Sequence, residues 1–340
     1  MIEMLPKIFA TIAAMLMMFA SATVHAAPMA IDFVEGVDWR QNVVTAVGNG
    51  LVPPSAVNRV QAEKFSESAA RVDAYRKLAE FSNGVRVEGD LTIGRMSAEQ
   101  DRVQVRVAAT VKGAKIVSQN FSDDGSCRMI MQVPLFGVNS LAGAVFEPTA
   151  YTPEPFPNPI AGVAPSIIRY SSTTPLARRL ELTAQNSYPT QETFTPAQND
   201  KPPLSRVSTA VMGASTQPQK KSVKDYADQA QGDFTGLIVD CRGLSLQPVM
   251  SPVIFNTNGT KIFGHKNIDP DKVAAQGMVN YAKSLDDASR AGNNPLVVKA
   301  VKLENFNSCP VLSLADSNRV LIENYATKFL NDLKVVFLFD

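Results

Sequence analysis

The chain has 340 residues, with 33 Lys and Arg against 32 Asp and Glu, and 45% of its residues are hydrophobic. That length suffices for one large or two ordinary domains, and the hydrophobic content is typical of a globular protein. Because the charges balance, no net field would draw the chain to nucleic acid or to an anionic membrane.

The N-terminus has the pattern of a secretory signal peptide. Lys7 precedes an apolar run of 13 residues, 8–20, which is shorter than the roughly 20 residues needed to span a bilayer. Val24 and Ala26 occupy the small-residue positions of a cleavage site, so we expect residues 1–26 to be removed. An uncleaved membrane anchor is the alternative. No Cys stands directly after the site, so we expect a periplasmic bacterial protein that is not lipidated.

Composition divides the mature chain into three parts. Residues 27–146 and 234–340 have dense hydrophobic patterns, whereas residues 147–233 hold 12 of the 22 prolines. The middle part buries too little apolar surface to offset its ordering entropy, and its prolines make it an extended spacer. We therefore predict two domains joined by a Pro-rich linker, part of which lies on a domain.

The first domain begins with a predicted strand, over 42–50, and a long helix, over 55–83. Asn83-Gly84 is a helix C-cap signal. Apolar residues at three- and four-residue spacing predict the buried stripe of the helix: Phe65, Ala69, Val72, Tyr75 and Ala79. The charged residues between them predict a solvated face: Arg71, Asp73, Arg76, Lys77 and Glu80.

After the helix, the apolar period changes from that of a helix to that of a strand. Alternation over 85–93, 103–111 and 127–133 predicts three meandering antiparallel strands. The helix is expected to cover their apolar face. Cys127 lies in phase with the last strand, which predicts a buried small hydrophobe.

The last domain has the pattern of a compact second α+β unit. A buried strand over 235–243 precedes a hairpin that turns at Asn258-Gly259. A helix with Asp269 as N-cap and Pro270 at N1 is predicted to run to Gly292. A second helix carries a capping box at its start, and the last residues form a buried strand inside the sheet. The predicted fold is α+β, with two helix-on-antiparallel-sheet domains.

Residues 44–137 carry three stretches, TAVGNGLVP, AARVDAYRKLAEFSNGVRVEG and VKGAKIVSQNFSDDGSCRMIMQVPLFG, in this order. The combination resembles the Lpp-twenty-type bacterial surface lipoprotein domain and is similar to the N-terminal domain of the flagellar T-ring protein. The resemblance implies a non-enzymatic cell-envelope protein, linked to the flagellum or the outer membrane, without catalytic residues. The matching residues are Gly48, Gly50, Ala69, Ala70, Arg71, Ala74, Gly84, Val85, Lys112, Gly113, Ala114, Val133, Pro134 and Leu135.

Few residues offer reactive chemistry. Cleavage of the signal peptide would remove His25. A Ser-His-Asp or Cys-His mechanism would then have to use His265, in a loop after the predicted hairpin. Asp240 and Arg242 alternate onto one side of an apolar strand, which predicts an ion pair that is either structural or part of a ligand pocket. We expect no cofactor and no metal site, since the cysteines and histidines form no ligand pattern.

The chain has three cysteines, an odd number, so at least one thiol stays unpaired if the protein is exported. Cys241 and Cys309 lie in one domain and are the candidates for a disulfide. Whether they pair depends on the distance between their Cα atoms in the fold.

These patterns favour a non-enzymatic envelope protein that acts as a structural or assembly module. Its expected partners are envelope proteins of an outer-membrane or flagellar assembly, not nucleic acid, and homo-oligomerisation is left open. Docking is predicted on a surface or an edge strand of the first domain. Two alternatives place a site in the last domain: a periplasmic hydrolase that uses Asp240, Arg242 and His265, and a small-ligand carrier with an apolar cavity.

Overall fold

The structure describes three stretches of the chain. The computed structural model covers residues 34–146, 152–167 and 229–340. The expected signal peptide and most of the expected linker lie outside the described residues. We call residues 34–146 the N-terminal module and residues 229–340 the C-terminal module. Their helices, antiparallel strands and parallel strands confirm the α+β class.

The N-terminal module contains an antiparallel sheet and a long helix that packs on it. The sheet strands are β1 (Gly36–Asp38), β2 (Val43–Gly50), β5 (Lys115–Phe121) and β6 (Cys127–Pro134). Their order in the sheet is β1-β2-β6-β5. The strands β3 (Arg86–Glu88) and β4 (Leu91–Thr92) form a separate pair. The helices are α1 (Arg59–Gly84), α2 (Ile93–Glu99), α3 (Asp101–Lys112) and α4 (Leu141–Val145).

Small residues let α1 lie directly against β2. A Cβ atom on Gly48 would lie 1.9 Å from the Ala70 carbonyl oxygen, and one on Gly50 would lie 1.8 Å from the Ser66 carbonyl oxygen. The helix side of this contact is also small, with Ala62, Ser66, Ala70 and Ala74 buried ahead of Leu78 and Ser82. A side chain on either glycine would therefore push the helix off the strand.

The predicted buried stripe of α1 is wrong, because a different face of the helix packs on the sheet. Phe65 is 43% exposed and Val72 is 66% exposed. The sheet covers a different face, which runs from Ala62 to Ser82 at four-residue spacing, and the glycines of β2 select Ala and Ser there over larger apolar side chains. Hydrophobicity alone favoured the face with the larger residues.

The charged row of α1 is a solvated face at Arg71, Arg76 and Glu80, as predicted. Asp73 and Lys77 depart from it and are half-buried. The Asn49 N–H donates to the Asp73 carboxylate at 3.1 Å, and the Lys77 ammonium donates to the Val47 carbonyl at 2.7 Å. These two side chains therefore attach α1 to β2.

The strand predicted over 103–111 is wrong, since these residues form α3. Val103, Val107 and Val111 are buried, whereas Val105 is 66% exposed. Valine at every second position also places a valine at every fourth, so the pattern fits both periods. The third long strand is β5, at 115–121, which sequence reasoning missed.

Two sheets form the centre of the C-terminal module. Its strands are β7 (Gly236–Asp240), β8 (Ile254–Asn256), β9 (Lys261–Phe263), β10 (Asn280–Ala282), β11 (Pro295–Lys299), β12 (Lys302–Glu304), β13 (Cys309–Leu312) and β14 (Val335–Leu338). One sheet has the order β10-β14-β7-β11 and the other the order β12-β13-β8-β9. Its helices are α5 (Pro270–Gln276) and α6 (Leu314–Thr327).

The first of these sheets is parallel, where the sequence predicted an antiparallel one. Each neighbouring pair in it runs in the same direction. Its strands are joined by crossovers through other elements, which parallel pairing requires. β7 and β14 are buried along their whole length, in keeping with their continuous apolar sequences. As predicted, the last strand lies inside the sheet.

The helix predicted from Asp269 to Gly292 ends much earlier. Asp269 is its N-cap and Pro270 its first residue, as predicted, but α5 ends at Gln276. Gly277 has φ of +73°, and a Cβ atom there would lie 2.9 Å from the Phe136 ring. The chain then forms β10, where Tyr281 is buried by strand packing. The glycine is the local signal that ends the helix.

The hairpin of the C-terminal module and the Ser313 N-cap at the start of α6 are confirmed. Asn258-Gly259 turns between β8 and β9, with Gly259 at φ of +78°. The Ser313 hydroxyl accepts from the Asp316 N–H at 3.1 Å and donates to the Asp316 carboxylate at 2.7 Å. Both signals are local, which is why sequence reading found them.

Part of the Pro-rich segment lies along α6, as expected. The Asn318 side chain contacts the Ile160 backbone twice: its oxygen accepts from the Ile160 N–H at 2.7 Å and its nitrogen donates to the Ile160 carbonyl at 3.0 Å. The Ser166 N–H donates to the Ala315 carbonyl at 3.0 Å. Residues 152–167 are thus bound to the C-terminal module by hydrogen bonds.

Backbone hydrogen bonds join the two modules, and their described residues belong to one compact unit. The N–H groups of Met250 and Ser251 donate to the carbonyls of Arg86 and Val87 at 3.0 and 2.8 Å. Trp39 packs edge-on against Tyr281, with ring centroids 5.7 Å apart. None of the helices in the described parts of the chain combines the length and apolarity that a membrane crossing requires.

Candidate functional site

Asp240 and Arg242 form the ion pair that the sequence predicted. The guanidinium Nε and Nη2 atoms of Arg242 each donate to one carboxylate oxygen of Asp240, both at 2.9 Å. The Arg242 N–H donates to the same carboxylate at 3.1 Å. Hydrogen bonding to Asp240 raises the pKa of the Arg242 guanidinium. The pair lies at the carboxyl end of β7, the edge where parallel sheets commonly bind ligands.

The other groups at this edge are also paired. The Gly243 N–H donates to both carboxylate oxygens of Asp340, at 2.9 and 3.1 Å, and Lys283 donates to the Asp340 carbonyl at 2.7 Å. These contacts connect the ends of β7, β10 and β14, whose parallel directions bring them to one edge. The arrangement holds strand ends together, and the Asp240 carboxylate is occupied by its own arginine.

His265 lies away from this edge, in a short 3-10 turn that follows β9. It is half-buried and lines a cavity of about 290 Å³. Neither Asp240 nor Arg242 is among the residues that line this cavity. His265 and the Asp240–Arg242 pair therefore do not line one cavity, and the hydrolase alternative that combined them stays a prediction.

The three cysteines are buried and unpaired. The disulfide proposed for Cys241 and Cys309 is absent: the Cys241 thiol donates to the Val239 carbonyl at 3.8 Å, and the Cys309 sulfur contacts the Ser308 hydroxyl at 3.5 Å. Burial raises the pKa of the Cys127 and Cys241 thiols, which keeps them protonated. Cys127 is a buried small hydrophobe, as predicted. No cluster of three metal-ligating side chains occurs within the three described stretches.

Titration with a thiol reagent tests this arrangement. We expect slow reaction in the folded protein, because the reactive thiolate is disfavoured by burial. After unfolding without a reductant, all three thiols of the chain should react. Only one reactive thiol after unfolding would indicate a disulfide and contradict the structure. The folded protein after reduction is the control.

The longest exposed edge of the N-terminal module is β5. It ends the sheet order, whereas the opposite edge is the three-residue strand β1. The apolar side chains of Ile116, Val117 and Phe121 are 42%, 45% and 40% exposed. The pairing of β5 with β6 shifts register between Ile116 and Ser118. An edge with free backbone groups and exposed apolar side chains is a template for an added strand.

Sequence reading missed β5 because the valine alternation before it looked like the strand. The stretch "KIVSQNF" does carry a usable signal, since β-branched residues stand between Gly113-Ala114 and the turn at 122–126. The N-terminal module therefore has an exposed edge strand at 115–121.

A second exposed apolar surface lies on the outer face of α1. A groove there is lined by Leu51, Pro53, Phe65, Ala69 and Val72, with Ser68, Asp73 and Arg76 at its polar part. Leu51 is 79% exposed. The groove contains three residues of the stripe that the sequence predicted as buried, Phe65, Ala69 and Val72.

Comparison with known proteins concerns the C-terminal module alone. No curated protein matches this sequence. A family model described as the second domain of Treponema pallidum Tp0624 matches residues 236–340. The match begins at the first residue of β7 and extends beyond β14, so it contains both sheets of the module. Residues 236–340 are therefore similar to that Treponema domain.

Proposed function

We propose that this chain is a non-enzymatic protein of the bacterial cell envelope that acts as an assembly module. Its N-terminal module binds an extended segment of another envelope protein along the outer edge of β5. The observation that carries this proposal is the exposed edge itself. Seven residues, Lys115–Phe121, form it, and no strand in the described stretches pairs with its outer side.

Binding of an added strand would use both the unpaired backbone groups and the exposed side chains of β5. Unpaired N–H and C=O groups supply affinity without sequence preference, and exposed side chains supply selectivity. The bulge near Val117 restricts how far regular pairing can extend. The regular part, from Ser118 to Phe121, offers polar side chains followed by an exposed aromatic ring. An incoming segment with an apolar residue opposite Phe121 would fit this edge.

Export supports the choice of partner. The leader-like pattern at residues 1–26 directs the chain out of the cytoplasm, where envelope proteins are the available binding partners. The resemblance of residues 44–137 to envelope domains favours the same environment. Asp240 and Arg242, two of the residues considered for catalysis, are paired with each other.

Site-specific photo-cross-linking tests the proposal. A photoreactive amino acid at Val117 is expected to give a defined adduct with another envelope protein in intact cells. Fragment mass spectrometry should place the adduct in an extended segment of that protein. The same amino acid at Val138, which is 89% exposed and outside β5, is the matched control.

Phe121→Lys should reduce the adduct at position 117, because a charge at the edge opposes strand addition. Adducts of equal yield from positions 117 and 138 would contradict the proposal. An adduct composed of two copies of this chain would also contradict it, since it would show self-association instead of partner binding.

A further inference from the structure

A cavity lies at the junction of the two modules, and both contribute to its wall. Its volume is about 290 Å³, at the lower end of the range of small-molecule sites. The wall is mainly apolar and is lined by Val87, Glu88, Leu91, Met96, Val145, Phe146, Ser251, His265, Pro270 and Val273. Such a chamber suits a small ligand with an apolar body.

Glu88 gives this cavity its charge. It is the last residue of β3 and is half-buried at the wall. Within the described stretches, no side chain or backbone N–H donates a hydrogen bond to its carboxylate. A half-buried carboxylate without such a partner, in a mainly apolar wall, favours a cationic ligand.

None of the other polar groups at the wall is a lysine or arginine that could pair with Glu88. The Ser251 hydroxyl is directed to the Met278 sulfur, 3.4 Å away. The His265 side chain or backbone already interacts with another group of the protein. The lining contains no Lys or Arg. An anionic ligand would meet the Glu88 charge without a compensating fixed cation.

We propose that this cavity binds a small organic ammonium ion, with its charged group at Glu88 and its apolar body between Val87, Met96 and Val273. The Phe146 ring at the wall adds an aromatic face of the kind that attracts organic cations. Because the two modules share the wall, the bound ligand connects them. The site is separate from the β5 edge on which the proposed function rests.

Isothermal titration of the full mature chain with 2-phenylethylammonium tests the site, with 3-phenylpropionate as the anion of similar shape. We expect saturable binding of the ammonium ion and affinity for the carboxylate lower by roughly tenfold or more. Glu88→Gln should lose the discrimination, whereas Glu99→Gln, on an exposed residue outside the cavity, should keep it.

Methyl NMR should place the ligand beside Met96, and Val273→Trp, which fills the cavity, should remove binding of both probes. If Val273→Trp does not fold, Glu88→Gln still decides the question. The proposal is overturned if 2-phenylethylammonium fails to saturate at millimolar concentrations. It is also overturned if Glu88→Gln binds it as tightly as the parent chain does.

Discussion

Replacing Gly50 with alanine is expected to destabilise the protein by about 3 kcal/mol or more. The new Cβ atom would lie 1.8 Å from the Ser66 carbonyl oxygen and 2.6 Å from the Ala70 nitrogen. Both are backbone atoms of α1, so no side-chain rotation relieves the overlap. The helix must move away from β2, and the burial of its small face is lost. Chemical unfolding followed by circular dichroism measures the change.

Gly84→Ala is the matched control. A Cβ atom on Gly84 meets nothing within 4 Å, and this residue is the last of α1. Its stability should stay within about 1 kcal/mol of the parent, since alanine is favoured over glycine in a helix. Equal losses for the two variants would show that α1 does not lie against β2 as described. Gly48→Ala should behave like Gly50→Ala, because its Cβ atom would meet the Ala70 carbonyl oxygen.

Glu323→Ala is the second change with a large expected effect, a loss of about 3–5 kcal/mol. The Glu323 side chain is fully buried, and its carboxylate accepts from Arg319 at 3.0 Å. It also accepts from the N–H groups of Gln231 and Gly232, both at 3.0 Å. Alanine would leave a guanidinium that is 13% exposed, and two N–H groups, without their acceptor. The free energy of unfolding in urea reports the loss.

Glu63→Ala provides a comparison with the same spacing on an exposed helix. Glu63 accepts from Arg59 at 2.9 Å, four residues away, but the Arg59 side chain is 71% exposed. Solvent screens that pair, so its loss should cost less than about 1 kcal/mol. If both variants lost the same stability, the carboxylate at Glu323 would not be the buried anchor of residues 229–232.

The comparison of sequence with structure shows which signals are local. The Asn258-Gly259 turn, the Asp269 and Ser313 caps and the Asp240–Arg242 pair depend on residues within a few positions of one another, and all are confirmed. The end of α5 at Gly277 was also a local signal, but the apolar spacing beyond it favoured a longer helix. One glycine outweighed that spacing because its φ is positive.

Features that depend on distant residues were not predictable in the same way. The buried face of α1 is set by Gly48 and Gly50 on another element, and hydrophobicity favoured Phe65 and Val72 instead. The junction cavity is lined by Glu88 of the N-terminal module and His265 of the C-terminal module, which are far apart in sequence. Its composition follows from the docking of two modules, and neither module's sequence pattern contains it.

The resemblance of residues 44–137 to envelope domains stays a prediction, but its residues have a structural role here. Gly48, Gly50, Ala70 and Ala74 lie at the contact of β2 with α1, where larger side chains have no room. A motif of this kind records a close helix–strand approach. It therefore carries information on the fold of the N-terminal module and less on the identity of its partner.

Hydrogen–deuterium exchange of β5, with and without the cross-linked partner, tests the central claim most directly. The account predicts that the outward-facing amides within Lys115–Phe121 exchange rapidly in the free protein and slowly in the complex. The amides of β6, which lie between two strands, should be protected in both. Protection of these outward-facing amides in the free chain, or exchange that does not change in the complex, would contradict partner binding at this edge.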